Sequence, residues 1–140
     1  MSNYPVGKMV LSSLGFGLVF YVVWWVFFDH FFAHMLTDYA SFMRPAGDTM
    51  VMYGMPFAAF VMGFVYTYLY HHFHHAVHHS GMMKGVMFGF YVWLLFAAYG
   101  FFDYTMSVHA FSLTVVWLFA MAVVFMVGGV VVHMFMGVKD

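Results

Sequence analysis

Four long apolar segments, separated by short polar breaks, dominate the pattern of this chain. They run from Met9 to Phe28, from Met50 to Tyr70, from Met82 to Phe102 and from Ala110 to Val132. Each is close to the roughly 20 residues that an α-helix needs to cross about 30 Å of hydrocarbon. The only charged residue inside them is Lys84, which stands close enough to the start of its segment to reach the headgroups. The pattern therefore predicts four membrane spans.

These segments are predicted to be helices of one bundle. Backbone groups in lipid must be satisfied internally, and the segments lack the apolar-polar alternation of barrel strands. The breaks between them contain turn-forming residues such as Pro45, Gly47, Ser80 and Gly81. Because the connections are short, we expect a single all-α domain over residues 1–140, a four-transmembrane-helix bundle with both termini on the same side.

The composition indicates that the solvent of this chain is a lipid bilayer. Hydrophobic residues make up 66% of it and charged residues 6%, against about 25% charged residues in a soluble domain. A domain of this size cannot hide so much apolar surface, so lipid or other membrane subunits must cover it. Four basic residues and a net charge of −1 exclude nucleic acid as a partner. The absence of cysteine excludes thiolate metal sites.

The basic residues predict the orientation of the bundle. Lys8, Lys84 and Lys139 fall on the side that holds the termini and the second connection, whereas Arg44 falls on the opposite side. Positive residues are enriched in cytoplasmic loops. We therefore expect cytoplasmic termini, in a prokaryotic inner membrane.

Small residues at helical spacing predict where the helices touch. Gly81, Gly85 and Gly89 form one stripe along the third segment, and Ala59 with Gly63 forms a weaker pair in the second. Such stripes allow a neighbouring backbone to approach closely. Pro56 removes one backbone hydrogen bond in the second segment and is expected to bend it.

A run of histidines is the feature of the sequence best suited to bind a metal ion or cofactor. The run comprises His71, His72, His74, His75, His78 and His79. On a continuing helix all six would lie within an arc of about 160°, so we expect the second helix to extend past the membrane with one histidine-covered side. Imidazoles at i and i+4 can share a metal ion. With His133 added from the fourth helix, the predicted metal ligands are His71, His74, His75, His78, His79 and His133.

Three interpretations of these histidines remain open. They could form a solvated, interfacial helix end, which suits an amphipathic ring with an ordinary pKa of about 6.5. They could bind zinc, copper or iron, all of which accept imidazole. A b-type haem would need histidines at matched depth on facing helices, and the pairs that qualify are His71 with His133, or His34 with His109.

Some histidine spacings resemble the boxes of membrane di-iron desaturases and hydroxylases. His30 and His34 match His-x-x-x-His, and His-x-x-His-His is matched twice, by His71, His74 and His75 and by His75, His78 and His79. The resemblance is confined to these short stretches. In that family all boxes lie on one membrane side, whereas here the two stretches are expected on opposite sides. We therefore do not assign the chain to it.

Two hypotheses for function follow. The chain shows no nucleophile motif, phosphate loop or paired carboxylates, so catalytic activity of its own is not expected. Aromatic residues make up 24% of it, and aromatic faces with glycine-lined grooves favour packing against other membrane subunits. The first hypothesis is therefore a non-catalytic accessory or assembly subunit of a larger membrane complex, such as a respiratory or other redox complex. The alternative is a metal- or haem-binding membrane protein that uses the histidine-rich helix end at 71–79.

Overall fold

The computed structural model describes residues 5–37, 43–45, 47–107 and 111–137, and these contain helices and no strand. Four helices are long and apolar enough to cross a membrane. Span 1 is Val6–Phe31, span 2 is Met50–Ala76, span 3 is Gly81–Met106 and span 4 is Phe111–Met136. The predicted all-α, four-transmembrane-helix fold is confirmed. Ala110, the predicted first residue of the fourth segment, lies outside the described residues.

The spans are longer than the apolar segments that predicted them. Each has 26 or 27 residues, which corresponds to about 39 Å of helix, more than the roughly 30 Å of hydrocarbon. Asp29 and Asp103 mark where the sequence turns polar, yet both lie inside a span. Helical hydrogen bonding therefore continues past the change in polarity, and the span ends extend toward the headgroups.

Spans 1 and 2 change their helical geometry along their length. In span 1, α1 (Val6–Trp24) continues as a π-helix (Trp25–Phe31), and a short helix, α2 (Ala33–Thr37), follows it. In span 2, a π-helix (Met50–Gly54) leads into α3 (Met55–Phe73) and then a 3₁₀ turn (His74–Ala76). Spans 3 and 4 are the continuous helices α4 and α5. Pro56, the second residue of α3, directly follows the π-helix, so the helical geometry of span 2 changes next to the residue that lacks an N–H.

The four spans pack in the order 2, 1, 4, 3. Span 4 packs against spans 1 and 3, and span 1 also packs against span 2, whereas the backbones of spans 2 and 3 hardly approach each other. In the centre, the fully buried Phe16 of span 1 lies 4.6 Å, ring to ring, from Tyr66 of span 2. Phe16 also contacts Phe125 and occupies the space left by Gly128, both on span 4. This aromatic group joins three spans.

Glycines form the seam between spans 3 and 4. A Cβ atom added at Gly89 would lie 2.6 Å from the carbonyl carbon of Phe125, and one added at Gly85 would lie 2.8 Å from that of Gly129. The predicted glycine stripe is confirmed at these two positions. Gly81 makes no such contact; it has φ of 59° and joins the preceding extended segment to span 3. Gly63 similarly lets span 2 approach the backbone of Ser13 in span 1.

Candidate functional site: the histidine end of the bundle

The histidine run does not continue as one α-helix, which corrects the expectation from sequence. α3 ends at Phe73, His74 and His75 lie in the 3₁₀ turn, and Val77 has extended backbone. Val77 is buried and packs into the core, which turns the chain back toward the start of span 3. His78 and His79 follow it as exposed residues without helical structure. The helical i, i+4 pairs that require them are therefore absent.

Tyr70 connects two of the predicted ligands. Its side chain is fully buried, and its hydroxyl oxygen lies 2.6 Å from Nδ1 of His133 on span 4. The ring of His74 stacks on the ring of Tyr70 at 5.5 Å, while Phe88 of span 3 meets it edge-on at 5.0 Å. Tyr70 thus contacts His74 through its ring and His133 through its hydroxyl group. Side chains from spans 2, 3 and 4 meet at this point.

Backbone carbonyls determine the tautomer of His74. Its Nδ1 lies 3.0 Å from the carbonyl oxygens of both Tyr70 and His71. Because a carbonyl oxygen can only accept, Nδ1 carries the hydrogen, and in the neutral ring the lone pair is on Nε2. Nδ1 of His72 is held in the same way by the carbonyl of Tyr68 at 2.9 Å. These two rings therefore have the tautomer in which Nε2 can accept a hydrogen bond or a metal ion.

The described residues bring no three potential metal ligands together. The closest imidazoles are those of His74 and His75, with ring centroids 3.7 Å apart, followed by His71 and His72 at 5.3 Å. His133 reaches this region through Tyr70. Metal binding by His71, His74, His75, His78, His79 and His133 stays a prediction. So does haem binding by His71 with His133, and His109 of the other pair lies outside the described residues.

The sequence interpretation missed the tyrosines that organise this end. Tyr66 is buried and donates its hydroxyl to the carbonyl oxygen of Phe125 at 3.0 Å, and Tyr70 reaches His133. Between them Thr67 is fully buried. A signal was present, since residues 66–70 carry four hydroxyl groups, which is unusual in an apolar span where polar groups need partners. The partners of Tyr66 and Tyr70 are on span 4, which no local pattern could reveal, whereas the buried hydroxyl of Thr67 has no hydrogen-bond partner among the described residues.

Charge separates the two ends of the bundle. Lys8 donates to the carbonyl of Met136 at 3.4 Å, which places it at the histidine end with Lys84. The described aspartates Asp29, Asp48 and Asp103 lie at the opposite end, where Asp48 pairs with Arg44 at 3.3 Å. The histidine end is therefore the basic end among the described residues. Which membrane side it faces stays a prediction.

These features define the class of this protein: an integral membrane protein of four helical spans whose basic, histidine-rich end is organised by a buried tyrosine. Comparison with protein-family models, with curated proteins and with solved structures finds no match for the chain.

Proposed function

We propose that this protein is a non-catalytic accessory or assembly subunit of a larger membrane complex, such as a respiratory or other redox complex of a prokaryotic inner membrane. The observation that carries the proposal is an aromatic ridge on the outward face of span 2. The ridge consists of Phe57, Phe60, Phe64 and Tyr68, at spacings of three and four residues. Such spacings place side chains on one face of a helix.

The aromatic ridge points away from the bundle. Phe57 is 69% exposed, and Phe64 and Tyr68 are also exposed, while the half-buried Phe60 lies 6.5 Å, ring to ring, from Phe64. From Phe57 to Tyr68 the ridge covers about 16 Å of helix, roughly half of the hydrocarbon thickness. It is therefore a continuous surface at the depth where another span would lie.

Packing physics favours a protein neighbour for this ridge. Helices in lipid associate through van der Waals packing and interhelical hydrogen bonds, not through exclusion from water. Rings in a row offer contact area with few rotatable bonds, so little conformational entropy is lost when they are covered. The glycine stripe of span 3 cannot serve this purpose, because Gly85 and Gly89 already pack on span 4. The ridge is thus the partner surface that we propose.

Extraction of native membranes in a mild detergent tests the proposal. We expect the protein in a particle much larger than its own 16.2 kDa plus a micelle, with other subunits in fixed ratio. Replacement of two ridge residues, Phe57→Ala with Phe64→Ala, should release it as a folded single subunit. The ridge variant removes contact area on a lipid-exposed face, so the fold of the bundle should survive.

The matched control removes two rings elsewhere. Tyr99 and Phe102 on span 3 are 63% and 60% exposed and lie outside the aromatic ridge. Tyr99→Ala with Phe102→Ala should leave the particle intact. Equal release of the protein from the particle in both variants would show that the ridge does not specify the contact. A wild-type protein that elutes alone would contradict the subunit proposal itself.

One observation supports metal binding as the second candidate function. The tautomer of His74 leaves its Nε2 lone pair to accept a ligand, and the ring of His75 lies 3.7 Å from the His74 ring, centroid to centroid. One imidazole nitrogen from each ring would form part of a zinc or copper site, and further ligands would have to come from a partner subunit or from water. Elemental analysis of the purified particle distinguishes this candidate from a purely structural subunit.

A further inference from the structure

A cavity of about 390 Å³ lies between all four spans, in the half of the bundle away from the histidines. Its walls include four aromatic rings, Phe20, Trp24, Phe96 and Trp117, together with Ala58 and Met62. The volume is within the range of about 300 to 1,000 Å³ that is typical of small-molecule sites.

The packing order explains why the cavity exists. At the histidine end, Phe88 of span 3 fills the gap to span 2 by meeting the rings of Tyr66 and Tyr70 at 5.4 and 5.0 Å. In the other half, span 2 presents the small side chains of Ala58 and Ala59 to the cavity. The gap between spans 2 and 3 therefore stays open there.

The cavity opens sideways, toward lipid. Ala58 lines the cavity and is exposed, and the backbones of spans 2 and 3 hardly approach each other, so we place the entrance in the gap between these two spans. Two of the lining residues, Phe96 of span 3 and Met121 of span 4, each lie ten residues inside the nearer end of their span. The cavity is thus continuous with the apolar surface that contacts the bilayer.

We propose that this cavity binds one acyl chain of a membrane phospholipid. The lining side chains are aromatic, alanine or methionine, so a water molecule would lack the two to four polar partners that it requires. Apolar cavities of even about 150 Å³ stay dry and take up apolar molecules. At this depth the medium at the entrance consists of acyl chains. A chain that enters supplies the contacts with spans 2 and 3 that the two helices do not make with each other.

This lipid site is separate from the proposed subunit contact. The exposed ridge residues Phe57, Phe64 and Tyr68 do not line the cavity. Lipid binding is therefore expected in an isolated subunit as well as in one that belongs to a complex. The two proposals can fail independently.

Tryptophan fluorescence in vesicles of brominated phospholipid tests the proposal. A variant that keeps only Trp117, with Trp24→Phe, Trp25→Phe and Trp93→Phe, reports from the cavity wall. Bromine atoms near the middle of the acyl chains quench an indole that they contact. We expect strong quenching of Trp117, and we expect the cavity-filling change Ala58→Phe to remove more than half of it. Ala98→Phe, at an exposed alanine of span 3 outside the cavity, should leave the quenching unchanged.

Three outcomes would overturn the proposal. Trp117 could be unquenched in the parent variant, which would mean that the cavity is closed or holds something other than phospholipid. Quenching could persist in full after Ala58→Phe, which would mean that the bromine reaches Trp117 from outside the cavity. Native mass spectrometry of the wild-type protein, re-supplied with phosphatidylcholine after delipidation, adds a measurement that needs no variant. Retention of one phospholipid is expected, and its absence counts against the site.

Discussion

At the scale of single residues, the two buried tyrosines of span 2, Tyr66 and Tyr70, have hydrogen-bond partners on span 4. The hydroxyl of Tyr70 is fully buried and has its partner on span 4, in His133. A buried hydroxyl without a partner would lose its hydration without compensation. His133 was expected from sequence as a metal ligand, whereas the structure assigns its Nδ1 atom to Tyr70. Only its Nε2 atom is left for any ligand.

The change Tyr70→Phe should destabilise the fold by about 1 kcal/mol. It keeps the ring that packs on Phe88 and His74, but it leaves Nδ1 of His133 without the hydroxyl. The free energy of unfolding, measured by titration with denaturing detergent, checks this expectation. Tyr99→Phe removes a hydroxyl from an exposed ring and should have no measurable effect. Equal stability of the two variants would mean that the Tyr70 hydrogen bond contributes nothing.

At the scale of elements, close contact of backbones holds span 3 against span 4. The carbonyl group of Phe125 lies where a side chain at position 89 would begin, and Gly129 approaches Gly85 in the same way. Since helices in lipid are held by packing contacts, small residues contribute by allowing this approach. Backbone atoms cannot rotate away as a flexible side chain would. The seam should therefore tolerate no added carbon atom.

Gly89→Ala tests the seam with the smallest possible change. A single methyl group would press on the backbone of span 4 and force the helices apart, and overpacking of this kind typically costs about 1 to 3 kcal/mol. Unfolding in detergent should show a loss in this range. Gly7→Ala is the matched control, since a Cβ atom there meets nothing within 4 Å, and this change should not lower the stability. A seam variant as stable as the Gly7→Ala control would show that the spans can separate without cost.

At the scale of the whole molecule, charge and packing divide the bundle into two unlike halves. The histidine end has lysines and a filled, tyrosine-containing core, and the other end has the described aspartates and the apolar cavity. Basic residues favour the cytoplasmic side of a membrane. The whole-molecule prediction is therefore one of topology.

We predict that the histidine end faces the cytoplasm. The chain has no cysteine, so single cysteines introduced at Ser80 and Ser107 report on opposite ends of span 3 without interference. Both serines are exposed. A membrane-impermeant maleimide added to intact bacterial cells should label Ser107→Cys at once and Ser80→Cys only after lysis. The reverse labelling pattern would show that the histidine end faces the outside of the cell.

The amino-acid sequence by itself determined the class of fold. Segments such as Met82 to Phe102 are so apolar that lipid is the only solvent open to them, and in lipid a helix satisfies its backbone locally. Hydropathy and helix geometry are properties of nearby residues, so they can be read along the chain. The same holds for the glycine stripe, because close approach of a neighbour requires small residues at a helical spacing whichever neighbour is present. Gly85 and Gly89 were therefore predictable as a seam.

The tertiary structure decided what those helices pack against and where the chain departs from the local pattern. Continuation of the helix through His79 follows from local propensity, but burial of Val77 and the return to span 3 ended it at Phe73. The partner of Tyr70 is 63 residues away, and the cavity depends on the order of all four spans. These features arise from contacts between distant segments. No short-range periodicity contains them, because the free energy that selects them is that of packing one helix against another.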